Sequence, residues 1–149
     1  MTGSSITGQP GVMQRSCPVL IVSGDRRRAP EPPARDVLAH LLNYLQPKVV
    51  VHGGGGATDD WAGATAQTHG FEVKVFDARW GEAGRAAGPI RNRQMAKFAK
   101  DQGGGYCILF PGGAGTLSMY EEAKKLDLAI IDLRYLDKRH DEPQQGLFR

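Results

Sequence analysis

The chain carries 149 residues, with 19 Lys and Arg against 16 Asp and Glu for a net charge of +3. That length supports one domain with its own hydrophobic core and is too short for two comfortable ones. The mild positive charge suits an anionic small ligand without calling for nucleic acid, and no apolar stretch approaches membrane-spanning length.

Residues 1–16 are rich in Gly, Ser, Thr and Gln and read as a flexible tail. They lack the basic and then apolar stretches of a signal peptide, so none is expected. Residues 19–23 read as a short buried strand, and 25–33 as a polar, basic, Pro-rich loop. Val37, Leu38, Leu41, Leu42 and Leu45 recur at helical spacing, which predicts a helix with one apolar face. Residues 48–52 form a β-branched strand, stopped by Gly53-Gly54-Gly55-Gly56. Ala57, Trp61, Ala64 and Thr68 mark a second helix that ends at Gly70. Alternating residues 71–76 predict a third strand, followed by a long loop from 77 to 88. Pro89 suits the first turn of a third helix, with Met95, Phe98 and Ala99 as its buried stripe. A fourth strand is expected at 106–110, a fourth helix at 116–126 and a fifth strand at 128–133. Residues 137–149 read as a polar tail, leaving one domain over 17–136.

This β-α-β-α-β-α-β-α-β order predicts an α/β, Rossmann-like three-layer sandwich. Right-handed crossovers give a mostly parallel five-stranded sheet with helices on both faces. A strand order of 3-2-1-4-5 sets strands one and four side by side at the switch point, where such sheets bind ligands. The turns meeting there are Ser23-Gly24-Asp25-Arg26 and Pro111-Gly112-Gly113-Ala114-Gly115-Thr116.

The second of these turns follows a strand and opens a helix. Its glycines permit positive φ and close approach to a ligand, and the helix end offers unpaired N–H groups and a positive dipole end. Thr116 is placed to cap the helix and to donate to a phosphate. The plainer reading is a tight connection; three glycines within four residues at the switch point favour a phosphate site. No Lys-Ser/Thr pair follows them, so this is not a Walker A loop.

Gly53, Gly54 and their neighbours make a second Gly-rich turn. Asp59 and Asp60 then fall in a first helical turn, either as dipole compensation or with one of them bonding a ribose hydroxyl or base amino group. In residues 84–95, Arg91 and Asn92 are expected in a first helical turn. A cation there opposes the dipole, which points to an anionic ligand for Arg91. Arg85 and Arg93 read as solvated charges. Trp80 has two readings, a ring stacked on a base or a lid over the core. Arg26-Arg27-Arg28 is either a solvated loop or an attractor of anions. The four His show no ligand spacing, so neither a metal nor a cofactor is expected. Cys107 sits in an apolar run as a buried thiol, and with only two Cys a reducing cytoplasm is the expected setting.

Ser23-Gly24-Asp25-Arg26, His52-Gly53-Gly54, Trp80, residues 84–95 and residues 110–116 together resemble the YspA branch of the SLOG superfamily, over roughly residues 18–133. The resemblance implies a Rossmann-like fold and a homodimer. It points either to a non-catalytic domain that binds nucleotides or NAD-derived ligands, or to a phosphoribohydrolase of the Lonely-guy type. The hydrolases carry Pro-Gly-Gly-x-Gly-Thr-x-x-Glu, with the Glu working beside an Arg. Arg91 matches the Arg, but Met119 stands at the Glu position. Glycosidic cleavage needs a carboxylate, so a hydrolase here must use a displaced one. Candidates are Asp25, Asp59, Asp60, Glu121 and Glu122, with Glu122 set beside Arg91 as the catalytic pair. The reading expected to hold is binding of a nucleotide or nucleotide-derived ligand, ADP-ribose-like ones included, with its phosphate on the Pro111–Thr116 turn. Nucleic-acid binding ranks last, because no basic and aromatic stripe interleaves.

Overall fold

The computed structural model describes residues 17–78, 81 and 84–136. The two tails, 1–16 and 137–149, and Trp80 lie outside the described residues. Five strands, β1 (Val19–Ser23), β2 (Val49–His52), β3 (Glu72–Val75), β4 (Gly105–Leu109) and β5 (Ala129–Asp132), form one sheet. Their order is β3-β2-β1-β4-β5 and every pairing is parallel. The Rossmann-like order read from the sequence is therefore the order of the fold.

Strand alternation splits the core into two layers. Leu20 and Val22 of β1 face one side, where α1 (Ala34–Leu45) and α2 (Ala57–Thr68) bring Leu38, Leu42, Ala62 and Ala66. Val19 and Ile21 face the other, against Met95, Ala96 and Ala99 of α3 (Ala87–Asp101) and Met119 and Ala123 of α4 (Ala114–Lys125). Leu38 and Leu42 lie on the apolar stripe of α1 and are fully buried, each contributing roughly 1.5–3 kcal/mol. Short 3-10 turns stand at Gly84–Ala86 and Arg134–Leu136. No helix among the described residues is long and apolar enough to cross a membrane.

Three details differ from the sequence reading. The 3-10 turn runs directly into α3 at Ala87, so Pro89 is its third residue while Arg91 and Asn92 fall in its second turn rather than its first. Dipole repulsion fades beyond the first turn, so it supplies no reason for Arg91. Helix α4 opens at Ala114, two residues early, because Gly113 takes the cap position. Thr116 is thus inside the helix and is not its cap. Finally, Phe98 is half-buried beside Phe76, ring centroids 5.5 Å apart, and Ala96 takes its place in the buried stripe.

Candidate functional site

The register of β1 against β4 places Ser23 beside Leu109, and Phe110 N–H donates to Ser23 O at 2.8 Å. The turns after these strands therefore start side by side. Two adjoining clefts open there, of about 480 and 530 Å³, sizes typical of small-molecule sites. Gly24, Arg26, Gly55, Ala114 and Gly115 line both. Ser23, Gly54, Asp59, Arg91, Asn92 and Ser118 are among the residues that line only the first; Asp25, Arg27, Gly113 and Thr116 line only the second.

Both clefts touch the N terminus of α4. Its cap residue is Gly113, which provides no side-chain bond, and its first turn holds no acid. The first intrahelical bond runs from Leu117 N–H to Gly113 O at 3.1 Å. The amides of Ala114, Gly115 and Thr116 precede it and have no intrahelical acceptor. Thr116 is only 2 % exposed, and its Oγ1 has no hydrogen-bond partner among the described residues. A Cβ on Gly112 would collide with that hydroxyl, whereas a Cβ on Gly113 or Gly115 would meet nothing within 4 Å. None of the three adopts positive φ. The expected conformational reason for these glycines is thus replaced by a spatial one: Gly113 and Gly115 leave the helix end uncovered.

The other Gly-rich turn is filled by the chain itself. Ala57 N–H donates to Arg26 O at 2.9 Å and Thr58 N–H to Asp25 O at 3.1 Å. Gly56 has φ +150°, and a Cβ there would collide with Arg26 O. Asp59 reaches back to accept from Gly55 N–H through Oδ2 at 2.9 Å. Carbonyls of the β1–α1 loop thus hold the first two amides of α2, and an acid of its first turn holds the Gly55 amide just before it. Asp59 is 9 % exposed, and its Oδ1 has no partner among the described residues. Burial pushes its carboxyl above the ordinary range, while the Gly55 amide, His52, Arg91 and the nearby Gly53 backbone pull it part of the way back.

Arg91 and Asn92 tie these turns together. Arg91 Nη1 donates to Gly53 O at 2.7 Å and Nε to Asn92 Oδ1 at 2.9 Å. A Cβ on Gly53 would overlap the guanidinium, so Arg91 lies across that glycine. Burial lowers the Arg91 pKa, and Asp59 and Asp77 oppose that shift. Asn92 Nδ2 donates to Gly115 O at 3.2 Å and Ser118 Oγ at 3.1 Å, fixing α4 against α3. His52 Nδ1 accepts from Gly54 N–H at 2.9 Å, and Asp25 Oδ1 accepts from Arg27 N–H at 2.8 Å.

Ser23, Gly24, Asp25, Gly54, Asp59, Arg91, Asn92, Gly113, Gly115 and Thr116 are therefore brought together around the clefts. Gly53, Pro111 and Gly112 stand behind them as turn residues and line neither. Glu122 also lines neither. It is buried beside Arg93 Nε at 3.4 Å and Lys125 Nζ at 3.3 Å, so it is not set to act with Arg91. Met119 is fully buried in the core layer under α4. The sequence reading missed Ser118, which follows Gly115 by one helical turn on the same face. It also set Arg85 aside as a solvated charge, whereas Arg85 edges the first cleft. Among the described residues, no three His, Cys, Asp or Glu side chains group as metal ligands. No family model matches the chain, and no curated protein matches it significantly.

Proposed function

We propose that this domain binds a nucleotide or nucleotide-derived ligand, with a phosphate seated on the N terminus of α4. The observation that carries this reading is an uncapped helix end next to a buried, unpartnered Thr116 hydroxyl. Three free amides, the positive dipole end and that hydroxyl form a donor set suited to phosphate oxygens. Arg26, shared by both clefts, adds positive charge at their common edge. Gly115 supports the same reading. An Ala there would improve the helix by about 1 kcal/mol, and nothing in the described protein would obstruct it; a ligand oxygen needs the space. Calorimetric titration with AMP, ADP, ADP-ribose and inorganic phosphate tests the proposal. Saturable binding of a nucleotide supports it, and no heat from any of them removes it.

A second reading, a nucleoside-monophosphate phosphoribohydrolase, is favoured by one observation. Of the five displaced carboxylates, Asp59 is the one that shares the first cleft with Arg91. Incubation with AMP and detection of free adenine tests it; no base after many hours sinks it for that substrate. Binding is the stronger reading, because Met119 and Glu122 place no acid at the α4 side of the cleft. Both readings fit a cytoplasmic homodimer, the assembly that the resemblance implies. Ile90 on α3 and Leu117 on α4 are exposed apolar side chains that such pairing would cover.

A further inference from the structure

We infer that Asp59 reads the sugar of the ligand: its Oδ1 accepts a hydrogen bond from a ribose hydroxyl while the phosphate rests on α4. This deepens the proposed phosphate site and rests on it. The starting observation is an anomaly of packing. Asp59 is nine-tenths buried, one carboxyl oxygen is held by Gly55 N–H, and the other has no partner among the described residues. An unsatisfied buried acceptor is costly and rare, and at a cleft it calls for a donor from the ligand.

The surroundings specify that donor. Asp59 lines the same cleft as Ala114 and Gly115, so the donor belongs to a group close in the ligand to its phosphate. In any nucleotide that group is the sugar, whichever base is attached. The described lining of that cleft includes Gly54, Gly55, Ser23, Arg91 and Asn92, with no aromatic side chain to stack on a base. The polar groups of Ser23, Arg91 and Asn92 suit a ring bearing hydroxyls.

The carboxyl is also free to serve. Arg91, a neighbouring cation, donates to Gly53 O and Asn92 Oδ1 instead of forming a hydrogen-bonded pair with it. One oxygen of Asp59 holds Gly55 N–H ahead of α2, and the second makes no hydrogen bond among the described residues. This is the basis for separating a ligand role from a structural one.

The test is calorimetric titration of the full chain with AMP, 2′-deoxy-AMP, 3′-deoxy-AMP and IMP. AMP is expected to bind about 10- to 100-fold more tightly than at least one deoxy analogue, the worth of a hydrogen bond to a charged group. IMP is expected to match AMP. Asp59→Asn keeps the Gly55 bond through its amide oxygen and puts a donor where the acceptor stood. It is expected to lower AMP affinity to that of the weaker deoxy analogue with an unchanged or higher melting temperature. Equal binding of AMP and both deoxy analogues overturns the sugar contact and leaves the phosphate site standing. A preference for AMP over IMP without a deoxy effect overturns it in favour of the base. If no nucleotide binds, the sugar contact and the phosphate site fall together. The wild-type comparison decides even if the variant fails to fold.

Discussion

Two turns of this molecule look alike in sequence, each a buried strand, a run of glycines and a helix. Before α2, the turn at 53–56 is closed from within: Arg26 O and Asp25 O take the first amides, and Asp59 takes that of Gly55. Before α4, the turn at 112–115 has no such partners, no first-turn acid and no side-chain cap. Glycine serves opposite ends in the two. At Gly56 it admits another segment of the chain; at Gly115 it admits nothing from the described protein. Availability of a helix end is thus decided by what the rest of the fold brings to it, and the count of glycines does not report that.

The largest contrast is expected from paired alanines. Gly56→Ala forces an L side chain into φ +150° and against Arg26 O; a loss of about 3 kcal/mol or more is expected in denaturant titration. Gly115→Ala should leave stability unchanged or raise it by up to about 1 kcal/mol, while weakening AMP binding more than about tenfold. If Gly115→Ala binds AMP normally, the space above α4 is not where the ligand sits, and the contrast between the turns has no functional meaning.

A smaller effect is expected from Thr116→Val. It removes a buried hydroxyl that has no partner, so melting temperature should hold or rise, while AMP affinity falls by about three- to tenfold. A marked drop in stability would show that the hydroxyl serves the fold and would sharpen the contrast in the opposite direction.

The smallest effect concerns pH. The Asp59 carboxyl is raised in the folded state, so folding favours its protonated form. That contribution is fully present below the ordinary carboxylate pKa of about 3.9 and is lost as pH rises through the folded value. Asp59→Asn cannot ionise. Its melting temperature relative to wild type should therefore climb between about pH 4 and neutrality. A difference that is flat with pH would mean that Asp59 is not desolvated in solution.

Sheet order was legible in the sequence because alternating strand and helix periods, with right-handed crossovers, leave few topologies. Leu38, Leu42 and Leu45 mark α1 by spacing alone. The switch point followed, and with it Ser23, Gly24, Asp25 and residues 113–116. What escaped depends on distant contacts. Arg26 O lies against Gly56, 30 residues on, and no local pattern marks that closure. In the sequence Arg91 stands out as a cation opposing a helix dipole, yet its place comes from Gly53 O, 38 residues away. Glu122 looked available because helical spacing does not show that Arg93 and Lys125 already hold it.

The most direct measurement is amide chemical-shift mapping of the ¹⁵N-labelled protein during titration with AMP. The largest shifts are expected at Ala114, Gly115 and Thr116, with Ala57 and Thr58 nearly unmoved because Arg26 O and Asp25 O already hold their amides. Shifts concentrated at Ala57 and Thr58, or none at the start of α4, would contradict the account.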